Sequence, residues 1–141
     1  MKWNDIKSGL FCMVGLLLAA CSSVPSEESV ELQPAPAALL QELIQQNEST
    51  IKRTQADFPK VLKGGPGFTR ETAWKILIKQ RAAVSFEYLV LGRLGLGERQ
   101  MQALVEEKGR YYDMHIIDVE HEGKHYSVEQ WFDITPYFKA M

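Results

Sequence analysis

The sequence predicts an α+β fold: a small antiparallel sheet with a C-terminal β-hairpin, covered by an N-terminal helix and a central helix. Three observations predict it. A helical stripe containing Leu40, Ile44, Ile51 and Phe58 comes before any strand-like segment. Phe86, Leu89, Val90 and Leu94 then share one helical face that Gly95 closes. Period-two alternation fills the chain from Arg110 to Ile134 around a turn at Glu122-Gly123-Lys124. Helices segregated to one face of an antiparallel sheet satisfy all three.

The first helix is predicted from about Ala37 to Asp57. Leu40, Ile44, Asn47, Ile51, Thr54 and Phe58 recur at spacings of four and three, with Leu43 beside them. Asn47 and Thr54 interrupt the stripe, which favours packing on one surface over a long coiled coil. Pro59 limits the helix. Lys63-Gly64-Gly65-Pro66-Gly67 is a loop. With Thr69 and Arg70 near it, such a loop has some of the parts of a phosphate cradle, but a Gly cluster without more reads as a turn.

Trp74, Ile76 and Ile78 alternate with Lys75 and Lys79, so Thr72–Lys79 is assigned as a strand. Ser85 is the expected N-cap of the central helix. Gln100–Glu106 suits strand or helix, and the turn at Lys108-Gly109 favours a hairpin. In the last strand Tyr126, Val128, Phe132 and Ile134 lie on one face and Trp131 opposes them. Thr135-Pro136 starts a short helix whose Tyr137 and Phe138 fold back onto the sheet. There is no internal repeat.

The N-terminus has a different character. Lys2 and Lys7 make a positive end, and Gly9–Ala20 is an uncharged run rich in Leu, Val, Phe and Met. A bilayer-spanning helix needs about 20 apolar residues. This shorter run suits a secretory signal. It ends Leu18-Ala19-Ala20-Cys21, which resembles the lipobox of bacterial lipoproteins. The resemblance covers the first 21 residues. It implies a diacylglyceryl group on the Cys21 thiol, cleavage before Cys21 and acylation of its new amine. It also implies an envelope location, and Ser22 in place of Asp favours the outer membrane, facing the periplasm. Each buried methylene contributes about 0.8 kcal/mol, so several acyl chains hold the protein at a membrane.

Three divisions follow: residues 1–20 as signal, residues 21–37 as lipidated Cys and tether, and residues 38–141 as one α+β domain. Pro25, Pro34 and Pro36 among polar neighbours disfavour a packed element in the tether. Its residues span tens of ångströms at about 3 Å each. Loss of the signal leaves 14 basic and 17 acidic side chains, a net charge of −3. That balance opposes nucleic-acid binding and supplies no polybasic patch for anionic lipid. Cys12 goes with the signal and Cys21 takes the lipid. No thiol remains for a disulfide, a nucleophile or a thiolate metal site, and no cofactor is expected.

Candidate chemistry concentrates near the C-terminus. His121 and His125 flank the last hairpin turn, where two imidazoles with Glu120 or Glu122 would suit zinc or nickel. Asp113, Asp118 and Asp133 lie on the last two strands, and Asp113 shares a strand face with His115. That pair suits acid–base work if it lines a cleft, and an ordinary polar outer face if it does not. Ser85 and Ser127 have no evident base in register, and no Gly-x-Ser-x-Gly occurs. Tyr112, Tyr126, Trp131 and Tyr137 are the candidate binding aromatics.

The order of the Gly64–Gly67 loop, Thr72-Ala73-Trp74-Lys75-Ile76, Phe86-Glu87-Tyr88, Tyr111-Tyr112-Asp113 and Trp131-Phe132-Asp133-Ile134-Thr135 is similar to a family of small secreted and lipoprotein domains of unknown function. The resemblance implies an α+β domain and no activity. The function expected is a non-enzymatic envelope binding or assembly module with an envelope protein or glycan as partner. The alternatives are a metal-binding protein or hydrolase using the His and Asp residues, and an inhibitor or immunity-type lipoprotein.

Overall fold

The structure is a computed structural model that describes residues 31–79 and 81–139. The expected signal, Cys21 and most of the expected tether lie outside the described residues. From Glu31 onward the chain forms one compact unit. It is an α+β fold with a six-stranded, mostly antiparallel sheet among the described residues.

The elements in chain order are β1 (Gln33–Pro34), α1 (Ala37–Gln46), α2 (Glu48–Asp57), β2 (Leu62–Gly64) and β3 (Trp74–Ile76). They continue with α3 (Ala82–Leu94), β4 (Glu98–Glu107), β5 (Arg110–His121), β6 (Lys124–Asp133) and α4 (Thr135–Lys139). The sheet order is β2-β3-β6-β5-β4, with β1 also pairing β6. β3 and β1 run parallel to β6, and the other pairings are antiparallel.

The two C-terminal turns explain the long meander. Lys108 and Glu122 both have φ of 52°, and Gly109 and Gly123 both have φ of 77°. Left-handed geometry at both central residues matches the right-handed twist of the flanking strands. The register then runs unbroken from His121 opposite Lys124 to Tyr112 opposite Asp133. Alternation gives this sheet an inner face of Asp113, His115, Ile117 and Val119 on β5, opposite Phe132, Gln130, Val128 and Tyr126 on β6.

The inner face carries the core. Trp74, Ile76, Leu62 and Phe132 pack against Ala83, Val90 and Leu94 of α3 and Ile51 of α2. Ile117, Val119 and Val128 pack against Leu39 and Leu43 of α1 with Phe68.

Four sequence expectations are corrected here. The N-terminal helix is two helices, broken at Asn47, whose φ and ψ are −105° and 10°. The Asn47 side chain donates to the Leu43 carbonyl at 2.9 Å, competing with the helical ladder. Buried Thr54 stays helical because its hydroxyl donates to the Thr50 carbonyl at 2.7 Å. Ser85 does not cap α3, which starts three residues earlier at Ala82 so that fully buried Ala83 can enter the core.

The expected strand over Thr72–Lys79 is confined to Trp74–Ile76, because Arg70–Thr72 forms a 3-10 turn capped by the Thr69 hydroxyl. Finally, the end of the expected tether is ordered. Gln33 and Pro34 pair with Tyr126 and Ser127, and the Ala35 N–H donates to the Ser127 carbonyl at 3.1 Å. Proline is tolerated there because β1 is an edge strand.

Candidate functional site

Alternation on β4, β5 and β6 also creates an outer face. Tyr112, Met114 and Ile116 of β5 lie opposite Asp133, Trp131 and Glu129 of β6, and Ile116 and Met114 lie opposite Met101 and Ala103 of β4. None of Met101, Met114, Ile116 and Trp131 belongs to either core cluster; Met101 is 49% exposed and the other three are half-buried. Tyr112 and Trp131 meet edge to face with centroids 6.0 Å apart. The Trp131 indole N–H donates to Glu129 at 2.8 Å, which fixes the ring. The result is an apolar patch with a polar rim that includes the Arg110–Asp133 ion pair.

This arrangement divides the four candidate aromatics. Tyr112 and Trp131 share the outer face. Tyr126 stands opposite Val119 on the inner face and packs against the second core cluster. Tyr137, on α4, packs against the first cluster. Pleating puts Phe132 fully inside and its neighbour Trp131 outside.

A second arrangement lies inside. His115 Nε2 is 2.9 Å from Glu87 Oε1, and their side chains are 0% and 1% exposed. The imidazole is held edge-on by Phe132 at 5.4 Å and Tyr88 at 6.1 Å. Asp113 is two residues away on the same face, and its carboxyl is near enough to Glu87 to influence its protonation. Burial pushes Glu87 up to about 7. Burial and the neighbouring Glu87 carboxyl push Asp113 up to about 6. Burial lowers His115, which therefore stays neutral, and its Nδ1 has no hydrogen-bond partner. The cluster is a pair of carboxyls with raised pKa values beside an imidazole whose neutral form burial favours, and Glu87 and His115 are closed to solvent.

The sequence reading found Asp113 and His115 and missed Glu87. The signal for Glu87 was present. It occupies the buried stripe of Ala83, Glu87, Val90 and Leu94, where a lone carboxyl requires a partner.

The hairpin tip does not bring the two expected histidines together. His121 pairs with Lys124 and His125 with Glu120, so adjacent alternation puts the rings on opposite faces. His121 Nε2 lies 3.6 Å from Glu42 and 3.4 Å from Glu122. His125 Nδ1 lies 2.8 Å from Asp118, whose hydrogen bond raises the imidazole pKa. Among the described residues no group of three or more His, Cys, Asp and Glu is placed to hold a metal. Ser127 shares the outer face with Asp118 and His125, but no described hydrogen bond joins its hydroxyl to the imidazole.

Asp133 has a structural task. It accepts from Arg110 Nη2 at 2.6 Å and from the Thr135 hydroxyl and N–H at 2.6 and 3.1 Å, starting α4. The Gly-rich loop lies against Trp74: a Cβ at Gly67 would come within 2.5 Å of the indole. The Gly67 carbonyl accepts from the Trp131 N–H at 2.8 Å. These contacts make the loop a cover for the core.

Comparison with family models, curated proteins and solved structures gives no match.

Proposed function

We propose that the chain is a lipid-anchored, non-enzymatic binding module of the bacterial cell envelope, and that it recognises another protein through the outer face of β4, β5 and β6. One observation carries this reading. Tyr112, Met114, Ile116, Trp131 and Met101 form an apolar surface on the face of the sheet opposite the core clusters, with Met101 exposed and the other four half-buried. Contiguous apolar patches with polar rims mark interaction sites on soluble domains. Trp, Tyr and Met are also the residues that anchor protein interfaces. The width of three strands suits a broad protein surface; a glycan partner would need fewer anchors and more hydrogen-bonding groups around Trp131.

An acid–base centre at Glu87, Asp113 and His115 has groups that titrate near neutrality. It lacks access, since Glu87 and His115 are sealed from solvent. The binding reading accounts for half-buried and exposed apolar side chains that belong to neither core cluster.

The anchor part rests on the lipobox resemblance at Leu18–Cys21. Cys21→Ala should abolish acyl labelling and membrane retention. For the partner, a photo-crosslinking residue at Met101 or Ile116 in intact cells should trap a specific envelope protein. The same residue at Lys52, on the exposed side of α2, should not. Equal capture from both positions, or capture of glycan alone, would refute the protein-partner reading.

A further inference from the structure

A cavity of about 240 Å³ lies where the second half of α3 faces the start of β4. Tyr88, Leu91 and Gly92 of α3, Leu96, Arg99 of β4 and Ile117 of β5 line it. It is smaller than the roughly 300 Å³ at which drug-sized sites begin. Its walls are mainly apolar, and it has one cationic group.

The irregularity in β4 accounts for that cation. The β4–β5 register shifts between Arg99 and Met101. Arg99 stands opposite Ile117 on the inner face, and Met101 stands opposite Ile116 on the outer face. Without the extra residue, Arg99 and Met101 would share one face. The bulge thus puts Arg99 on the α3 side of the sheet, where its solvent-exposed side chain places the guanidinium 5.7 Å from the Tyr88 ring centroid. Among the described residues Arg99 has no carboxylate partner within ion-pairing distance. Arg99 is the cationic group at the rim of this mainly apolar cavity.

Gly92, exposed in the last turn of α3, leaves the mouth of the cavity open: a Cβ built there meets no heavy atom within 4 Å. Glycine inside a helix costs about 1 kcal/mol relative to alanine. Local stability therefore disfavours a residue that keeps this space open.

We propose that this cavity binds a small organic anion, with an apolar body against Leu91, Leu96 and Ile117 and a carboxylate or equivalent oxyanion on the Arg99 guanidinium. The site is on the opposite side of the sheet from the Trp131 surface, and its occupancy does not depend on that surface having a partner.

The test uses the full chain in lipid nanodiscs, with empty nanodiscs as blank and ligand-observed NMR as readout. Benzoate is the charged probe, and benzamide is a neutral probe of nearly the same shape. Benzoate should bind saturably, with benzamide weaker by at least about tenfold, as a charge-assisted contact requires. Arg99→Gln should bring benzoate down to the benzamide level. Gly92→Leu should remove both while leaving the melting temperature unchanged or raised, and Trp131→Ala should leave both intact. Failure of benzoate to saturate, equal affinity for the two probes, or binding that survives Gly92→Leu would overturn the proposal. Loss of binding with Trp131→Ala would also overturn it, by moving the probe to the outer face.

Discussion

His115 Nε2 lies 2.9 Å from Glu87 Oε1 with both side chains sealed in the interior, so a strand and a helix are joined by two groups that both titrate. The pair makes stability depend on pH in a definable way. Glu87 shifts from an ordinary 4.5 to about 7 because burial penalises its charge. Between those values the folded chain holds a proton that the unfolded chain has released. Stability from this group therefore falls as pH rises through that window and is level above it. Asp113 acts in the same direction between 3.8 and about 6. His115 opposes both: below 6.5 the unfolded chain takes up a proton that the buried ring resists.

Glu87→Gln keeps an amide for the imidazole and removes the carboxyl. It should stabilise the protein at pH 8 by up to about 3 kcal/mol. The gain should shrink toward zero by pH 4.5. Thermal melts across that range check it, and a gain that does not vary with pH would contradict the assignment.

Asp133 is 2% exposed and ties Arg110 to the first turn of α4. Asp133→Ala leaves the Thr135 N–H and the Arg110 guanidinium without their acceptor. The expected cost is on the order of 2 kcal/mol. Asp133→Asn keeps one oxygen and should lose about half of that. Urea titrations of the two variants distinguish a cap from a dispensable surface charge.

Gly67 and Gly109 both have positive φ, at 84° and 77°. Only Gly67 has a neighbour in the way, with Trp74 Cδ1 2.5 Å and Nε1 2.6 Å from a built Cβ. Gly109 faces open space. Gly109→Ala should cost about 1 kcal/mol from backbone strain alone. Gly67→Ala should cost more than about 2 kcal/mol, because the indole must also move. Similar melting temperatures for the two would mean that the loop does not cover Trp74 as described.

Met101→Lys and Trp131→Ala should each change stability by less than about 1 kcal/mol, since neither side chain belongs to the core clusters. Both should reduce crosslinking to the protein partner proposed for this face. A large loss of stability with intact crosslinking would make the outer face part of the fold instead of a surface for binding.

Much of the fold was legible in the sequence because its signals are local. Gly109 and Gly123 mark the two turns, and the alternation through Val128, Phe132 and Ile134 gives the last hairpin. The candidate sites were less legible. Tyr126 and Tyr137 look as exposed as Trp131 in sequence, yet pack against the core. His121 and His125 flank a turn, yet the pleat sends them to opposite faces. Arg99 gives no hint of lying on the α3 side of the sheet, because a single bulged residue decides its side.

The sequence by itself determined the α+β class, the hairpin turns and the confinement of both cysteines to the first 21 residues, since these follow from periodicity, glycine geometry and residue position. The tertiary structure decided which polar groups lost water and which apolar groups kept it. Glu87 and His115 are 28 residues apart and become partners only when α3 lies on β5. Trp131 stays at the surface only because all four described helices pack on the other side of the sheet. Burial belongs to the packed whole, and the chemistry of a carboxyl or an indole follows from it.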